Sequence, residues 1–292
     1  MKKLSYRCAL FFSRYFGSCF FSIFSWFIAT GYFLLFPARV ARSLKFYRTL
    51  FPASGFFYQL FCVWKQYHNF TSVYKHRFLA GIKDEVEFTA EGWEYLEEAV
   101  EKKIGAIIVM SHIGNWELAA EMLRRKGLPI MLYLGAKHKE QVEKIQKEKL
   151  MQSGIKIVAT SDKESSPFAL LEGINFLRSG GIVSMTGDRI WGRQRSVKVN
   201  FLGHEVQLPD APHLFALMSE APLMTFFVSR QASGKYHVTV SGGRKVYAKT
   251  RNERKEAVLA SAQIYADELA QMARRHPFEW YHFEPFLGEK IN

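Results

Sequence analysis

Acidic residues are missing from the first 83 positions of this 292-residue sequence, although that segment carries twelve lysines and arginines. Residues 84–292 contain 28 basic and 27 acidic side chains, so the net charge of +13 comes almost entirely from the N-terminal part. A charge excess confined to one segment indicates where an anionic partner would be met. We therefore expect the N-terminal part to bind an anionic surface.

Cysteine is also scarce, and the common metal and nucleotide motifs are absent. The three cysteines, Cys8, Cys19 and Cys62, are odd in number and lack metal-ligand spacing, which argues against a disulfide framework or a zinc site. The sequence contains no H-E-x-x-H, Walker A or G-x-G-x-x-G motif. We predict a cytoplasm-facing protein with reduced thiols, no metal and no bound cofactor.

A long uncharged segment, residues 15–36, lies between cationic flanks. About 20 apolar residues span a bilayer as a helix. Three interpretations are open: a cleaved signal peptide, a membrane-spanning helix and a helix lying in one leaflet. The length of the segment and Arg14 argue against a signal peptide, and cations on both sides suit an anionic leaflet. Such a run does not suit a solvated groove, so we predict no nucleic-acid partner.

Changes in composition divide the chain into three predicted parts. Residues 1–50 form a membrane anchor with a basic flank, residues 51–83 form aromatic-rich amphipathic connecting helices, and residues 84–292 form an α/β domain. In that domain short apolar runs alternate with amphipathic stretches. This alternation predicts a mixed, largely parallel sheet flanked by helices.

The predicted elements follow one another at short intervals. We expect strands at 106–110, 129–134, 155–159, 181–186, 196–201, 223–230 and 236–241, and helices at 93–103, 116–126, 137–152, 167–178, 211–220 and 248–275. We place His204 at a turn and His213 in the core, and we expect positive φ at Gly187 and Gly192. The basic stretch at 249–255 is a candidate surface for an acidic carrier protein, or a solvated helix face.

Polar side chains cluster after the strand at 106–110, where an open α/β sheet binds its ligands. His112 lies two residues past the strand, and Gly114 permits a tight turn. Asn115 is a preferred N-cap, and Glu117 falls in the first turn of the next helix. Since His112 lies in a loop, the Glu117 carboxylate can fold back onto its imidazole and leave the other ring nitrogen free to accept a proton. The alternative is a structural histidine, with Glu117 placed for the helix dipole.

Such a pair suits a reaction in which the substrate supplies the nucleophile, because the sequence has no G-x-S-x-G elbow. A hydroxyl deprotonated by His112 could attack a thioester directly. A second polar cluster follows the fourth strand of the domain, where Arg189 can bind a phosphate. Asp188 holds Arg189 in place or serves the structure alone. The predicted substrate-binding residues are therefore Arg189, Asp188, Asn115 and Gly114.

Four segments carry a resemblance to a known family. The sequence SHIGNWEL at 111–118 resembles the His-x4-Glu/Asp box of the bacterial lipid A biosynthesis (late) acyltransferases, within the lysophospholipid/glycerolipid acyltransferase superfamily. GDRIWG at 187–192, FLGHEVQLP at 201–209 and HPFEWYHF at 276–283 are similar to its later boxes. The resemblance covers most of the chain. It departs at residues 210–212, Asp-Ala-Pro, where family members often have a Thr-Gly pair.

The resemblance implies an acyltransferase with His112 as general base and Glu117 as its orienting group. The implied donor is an acyl thioester on acyl carrier protein, with acyl-CoA as the other possible co-substrate. The implied acceptor is a hydroxyl of a membrane glycolipid such as a lipid A precursor. We expect a monomer at the bacterial inner membrane, with the catalytic domain facing the cytoplasm. Acylation of a lysophospholipid or another lipid, and a non-catalytic lipid-binding protein, are the alternatives.

Overall fold

The computed structural model describes residues 22–79, 87–135, 155–160, 167–190, 192, 194–231 and 235–291. The predicted helix at 137–152 and the first residues of the uncharged segment, 15–21, lie outside this part of the chain. The described residues form two compact units. The first contains residues 22–79, 87 and 273–287, and the second contains the described residues of 88–272 and 288–291.

Three helices begin the first unit: α1 (Ser22–Leu35), α2 (Pro37–Leu50) and α3 (Phe56–Leu79). Pro37 suits the start of α2 because its fixed φ and missing N–H are both tolerated in the first turn. Within the described residues, no single helix combines the length and hydropathy of a bilayer span. Only α1 and α2 taken together do so, and they are bent by 91°. The N-terminal membrane helix therefore stays a prediction.

The C-terminal segment completes the core of the first unit. The Tyr47 hydroxyl donates to the Pro277 carbonyl at 2.9 Å, and the Gln66 side-chain amide donates to the Trp280 carbonyl at 2.6 Å. The Trp280 side chain is buried, and its ring centroid lies 5.0 Å from that of Phe46. Buried carbonyls need such donors, and the helices supply them. The end of the chain thus packs with the N-terminal helices.

The second unit contains a seven-stranded sheet, a two-stranded hairpin and five helices among its described residues. The strands are β1 (Phe88–Glu91), β2 (Ala106–Met110), β3 (Ile130–Gly135), β4 (Lys156–Thr160), β5 (Ile182–Thr186), β6 (Ser196–Phe201), β7 (His204–Pro209), β8 (Leu223–Arg230) and β9 (Tyr236–Val240). The helices are α4 (Trp93–Glu101), α5 (Trp116–Arg125), α6 (Pro167–Arg178), α7 (Ala211–Ser219) and α8 (Arg254–Arg275).

The sheet has the strand order β1-β9-β8-β2-β5-β3-β4. The five strands from β8 to β4 are mutually parallel, β9 is antiparallel to β8, and β1 is parallel to β9. All five residues of β2 are buried, as expected for a central strand of a sheet covered on both faces. The predicted mixed, largely parallel sheet flanked by helices is confirmed.

The hairpin of β6 and β7 corrects one expectation. Leu202 and Gly203 form its two-residue turn with φ of 53° and 78°, so His204 begins β7 rather than lying in the turn. Positive φ at both turn residues matches the twist of the flanking strands. The sequence conceals this turn because leucine rarely adopts positive φ.

The C-terminal helix and the first strand also differ from expectation. The helix begins at Arg254 rather than at residue 248. The Glu253 carboxylate accepts the backbone N–H of Lys249, which closes a turn ahead of the helix. Strand β1 has no predicted counterpart, because only one of its four residues is even partly shielded from solvent and apolar periodicity cannot mark it.

Candidate active site

The site begins where two neighbouring strands end. Strands β2 and β5 are parallel, and their last residues, Met110 and Thr186, lie opposite each other. The Gly187 N–H donates to the Met110 carbonyl at 2.8 Å, which continues the strand pairing by one step. His112 and Asp188 each follow two residues after a strand end. The strand register therefore carries these two residues to the same place.

Asp188 holds His112 at two points. The Nδ1 atom of His112 lies 2.8 Å from Asp188 Oδ1, and the His112 backbone N–H donates to Asp188 Oδ2 at 2.8 Å. An ionised carboxylate only accepts hydrogen bonds, so Nδ1 carries a proton, and in a neutral imidazole Nε2 is then the nitrogen with the lone pair. The Asp188 side chain is fully buried, whereas 19% of the His112 side chain is exposed. The imidazole is thus fixed from the buried side and accessible from the other.

The residues around His112 shape its loop. The buried Ser111 hydroxyl accepts the Ile113 N–H at 3.2 Å. Gly114 has a φ of 64°, and a Cβ there would lie 1.9 Å from the Val228 carbonyl oxygen. The Asn115 side chain accepts the Leu118 N–H at 3.4 Å, which confirms Asn115 as the N-cap of α5. Only glycine fits this approach of the loop to β8.

Glu117 is the second residue of α5, and its side chain lies outside the described part of the structure. Its contact with His112 stays a prediction. Sequence reasoning missed the contact of Asp188 with His112. The equal offset of both residues from the ends of two apolar runs was the signal that could have revealed it. Arg189 comes directly after Asp188 and is partly exposed, so its phosphate contact stays a prediction as well.

Behind the pair, Tyr265 of α8 is fully buried and donates its hydroxyl to the Met110 carbonyl at 3.2 Å. A Cβ at Gly187 would lie 2.3 Å from Val109 Cγ1 and 2.6 Å from the Tyr265 ring. Gly187 is therefore required for space, and the expected positive φ is wrong there, whereas Gly192 does adopt it with a φ of 55°. Burial, and then the nearby Asp188 carboxylate, raise the pKa of Tyr265 well above its ordinary value. Its hydroxyl therefore stays protonated and remains a donor.

A second histidine of this unit belongs to the core. His213 is fully buried on α7, and its Nδ1 lies 2.8 Å from the Ser261 hydroxyl. Burial, followed by the charge of Arg244, lowers the pKa of His213 to about 4. The burial of His213 confirms its predicted place in the core, and the lowered pKa keeps it neutral at physiological pH. In the departing segment at 210–212, burial raises the pKa of Asp210, and the guanidinium of Arg195 at 3.2 Å opposes that shift.

The described part of the chain contains no group of three or more His, Cys, Asp or Glu side chains that could hold a metal ion. The candidate site consists of a histidine, His112, held by a buried carboxylate, Asp188, at the carboxyl ends of parallel strands. This arrangement can remove a proton from a hydroxyl and stabilise the imidazolium that results. Fold and site together define an α/β protein with a histidine and a buried carboxylate in contact at the carboxyl edge of its parallel strands.

Comparison with known families places the chain more narrowly. Residues 71–287 match the family described as bacterial lipid A biosynthesis acyltransferase. The match covers well over half of the sequence, so the chain belongs to this family of acyltransferases. The resemblance carried by the segments at 111–118 and 187–192 is thereby confirmed.

Three relatives share the name phosphatidylinositol mannoside acyltransferase. Those from two strains of Mycobacterium tuberculosis are 26% identical over 231 and 219 residues, which are 76% and 72% of this chain and 66% and 62% of the relatives. That from Mycolicibacterium smegmatis is 22% identical over 192 residues, 66% of this chain and 60% of the relative. The chain thus spans just under two thirds of the length of each relative.

Proposed function

We propose that the chain transfers a fatty acyl group from a thioester to a hydroxyl of a membrane glycolipid. The observation that carries this proposal is the contact of the half-buried His112 with the fully buried Asp188 at the carboxyl edge of the sheet. The adjacent Ser111 hydroxyl is buried and accepts a backbone N–H, so it is not placed to attack a substrate. The acceptor lipid itself then supplies the nucleophile.

In the proposed reaction, His112 Nε2 takes the proton of the acceptor hydroxyl as its oxygen attacks the thioester carbonyl. The tetrahedral intermediate expels the thiolate, which recovers the proton from the imidazolium. The carboxylate of Asp188 stabilises that imidazolium and keeps the proton-bearing nitrogen turned away from the substrate. General-base assistance of this kind is worth about 10²- to 10⁴-fold in rate.

We assign the orienting role to Asp188, and Glu117 is the second candidate. The partly exposed Arg189 follows Asp188 at the edge of the site, where its planar guanidinium suits a substrate phosphate. Gly114 and Asn115 shape the loop that carries His112, and we propose that they affect substrate binding through that loop. His112 and Asp188 come from the same chain, so the pair needs no second copy, and we propose that the enzyme is a monomer.

The acceptor class is supported by the relatives. Their name specifies mannosides of phosphatidylinositol as their substrates or products, and such mannosides are glycolipids. The family description specifies lipid A biosynthesis, and lipid A precursors are glycolipids as well. A sugar hydroxyl on a membrane lipid is common to both, so we propose a glycolipid acceptor, with a lipid A precursor as the first to test.

The direction of α8 relative to the strands indicates where an acyl donor would approach. Helix α7 leads into the amino end of β8, so His213, near the start of α7, lies towards the carboxyl edge of the sheet. Ser261 contacts His213, whereas Glu268 forms an ion pair with Arg244, which pairs with the first residue of β8. Helix α8 therefore runs from the carboxyl edge towards the amino edge. The first turns of α8 therefore lie towards the same edge of the sheet as His112, at the carboxyl ends of the parallel strands.

A basic surface, defined as Lys249, Arg251, Arg254 and Lys255, occupies that end of α8 and is exposed. Cations at a helix N-terminus oppose the helix dipole, so their placement there does not serve the stability of the helix. An acidic acyl carrier protein complements this charge, and its thioester arm would approach the edge that holds His112. We therefore propose acyl carrier protein as the donor, with acyl-CoA as the alternative.

We further propose that the first unit binds the cytoplasmic face of the inner membrane. Large apolar side chains point to solvent along α1 and α3, and Phe27, Leu35 and Phe57 are 65%, 76% and 84% exposed. Residues 22–79 contain no acidic side chain. Exposed apolar side chains among cations favour insertion into an anionic leaflet.

Purified protein in anionic vesicles that contain a bacterial glycolipid acceptor tests the proposed activity. With acyl carrier protein or coenzyme A as the carrier of the acyl group, we expect free thiol to appear together with a lipid heavier by one acyl chain. His112→Gln should reduce both signals by about 10²- to 10⁴-fold and leave the folded state intact. Wild-type protein that binds the lipid without consuming either thioester would show a lipid-binding protein instead. An acyl gain on lysophospholipid alone would replace the proposed acceptor.

A further inference from the structure

Tyr265 connects the two loops that carry the proposed catalytic pair. Its hydroxyl donates to the Met110 carbonyl at 3.2 Å, and that carbonyl also accepts the Gly187 N–H at 2.8 Å. Met110 precedes His112 by two residues, and Gly187 directly precedes Asp188. One carbonyl oxygen therefore joins the end of β2, the end of β5 and α8.

The ring of Tyr265, like its hydroxyl, contacts the backbone close to Asp188. A Cβ at position 187 would lie 2.6 Å from this ring, so the ring packs against the backbone just ahead of Asp188. The ring also lies nearly parallel to that of Phe227 on β8, with the ring centroids 6.3 Å apart and an interplanar angle of 8°. The buried phenol therefore packs against the backbone that follows β5 and lies next to a side chain of β8, in a closely packed interior.

We propose that Tyr265 is a positioning residue for acyl transfer, which keeps the Asp188 carboxylate in register with His112 and so maintains the imidazole orientation. The inference rests on the proposed function. It concerns a residue on α8 that lies 77 residues beyond Asp188 in the sequence and whose hydroxyl binds the Met110 carbonyl. In this proposal Tyr265 acts through the backbone of Met110 and Gly187.

Tyr265→Phe keeps the ring and removes the hydrogen bond to Met110. We expect kcat to fall about three- to tenfold, the value of one buried hydrogen bond, with the KM for the thioester unchanged. Ser261→Ala is the matched control, because it also removes a buried hydrogen bond from α8, one turn earlier, but acts on His213. It should lower the Tm and leave kcat unchanged.

Two readouts separate positioning from simple stability. In an Asp188→Asn background, Tyr265→Phe should no longer change kcat, because the contact through which it acts is already lost. If Tyr265→Phe lowers kcat by the same factor in the wild-type and the Asp188→Asn background, the proposal is overturned. The second readout needs no turnover: the downfield Nδ1–H proton resonance of His112, assigned by its loss in His112→Gln, should shift or broaden in Tyr265→Phe but not in Ser261→Ala.

These outcomes distinguish failure of the inference from failure of the proposed function. If wild-type protein transfers no acyl group, the proposed function fails and the resonance still decides the role of Tyr265. If wild type is active and the Tyr265→Phe protein has wild-type kcat and an unchanged resonance, the inference fails alone. Gly187→Ala places a methyl group against the Tyr265 ring and should also change the His112 resonance. A folded Gly187→Ala protein with an unaltered resonance would contradict the proposal.

Discussion

Asp188 reaches His112 across 76 residues of sequence and binds both its ring and its backbone, each at 2.8 Å. The contact with Nδ1 prevents the imidazole from rotating, and the contact with the backbone N–H fixes the loop that carries it. A carboxylate that does both determines the tautomer and the position of the proton-accepting nitrogen.

The first prediction concerns the charge of Asp188. Asp188→Asn keeps the size of the side chain and should reduce kcat by about 10²- to 10⁴-fold, because an amide can hold the wrong tautomer and does not stabilise imidazolium. Thiol release by the purified variant measures this. His112→Gln should lose about as much, and the double variant should lose no more than either single variant. Losses that multiply would show that the two residues act independently.

The second prediction separates the two candidate orienting groups. If Asp188 orients His112, Glu117→Gln should change kcat by less than about tenfold, since a residue near a helix N-terminus then contributes through the dipole alone. The same thiol-release assay, with Asp188→Asn alongside, gives the comparison. A loss for Glu117→Gln that equals the loss for Asp188→Asn would return the orienting role to Glu117.

The sequence predicts where the site lies better than it predicts which residues contact one another there. The apolar run at 106–110 and the residues after it are enough to predict a ligand site at a strand end, and His112 and Asn115 lie as predicted. The partner of His112 depends on which strand lies next to β2. Strand β2 lies between β8 and β5. The partner of His112 follows β5, whose first residue comes 72 positions after the end of β2, and local spacing contains no such information.

The third prediction compares two glycines with similar backbone. Gly114→Ala should lower the free energy of unfolding by more than about 3 kcal/mol, because its Cβ would meet the Val228 carbonyl oxygen at 1.9 Å in a residue with positive φ. Gly127 also has positive φ, but a Cβ there meets nothing within 4 Å, so Gly127→Ala should cost only about 1–2 kcal/mol. Urea denaturation measures both. Equal losses would contradict the close approach of the loop to β8.

The fourth prediction concerns pH and the buried His213. Its pKa is lowered from 6.5 to about 4, so the unfolded chain takes up a proton at a higher pH than the folded one. The stability that this group contributes is fully present above pH 6.5. It is lost as the pH falls to 4, by up to about 3 kcal/mol.

Replacing His213 tests this directly. His213→Leu should flatten the dependence of the free energy of unfolding on pH between 6.5 and 4, as measured by denaturation at a series of pH values. His204→Asn, which changes a partly exposed histidine of the β6–β7 hairpin, is the control and should keep the wild-type slope. A wild-type slope in His213→Leu would show that His213 is not neutral in the folded protein.

The fifth prediction concerns membrane binding by the first unit. Phe57 is 84% exposed on α3, and Phe57→Glu should weaken co-sedimentation with anionic vesicles by about tenfold or more, the effect of no longer inserting an aromatic ring. Tyr247→Glu introduces the same charge at a 71% exposed aromatic of the second unit. It should bind as wild type does. Equal weakening by both variants would attribute the binding to net charge instead of to insertion of the Phe57 ring.

Elements with strong local patterns are predictable from this sequence, and elements defined by distant contacts are not. Helix α6 and strand β8 have the predicted bounds, because Pro167 and the apolar residues of β8 mark them locally. Strand β1 is edge-exposed and exists because it pairs with β9, which lies 145 or more residues later. Its position follows from the completed sheet rather than from its own residues.

The contact of Tyr47 with Pro277 has a consequence for biosynthesis. These two residues are 230 positions apart, and translation proceeds at roughly 5–20 residues per second, so the N-terminal helices emerge on the order of ten seconds or more before the segment that completes their core. During that interval the nascent helices expose their apolar surfaces while the sheet can already form. The order of synthesis thus favours early contact of these helices with a lipid surface or a chaperone, and a ribosome that stops before residue 280 releases a chain whose first unit cannot close.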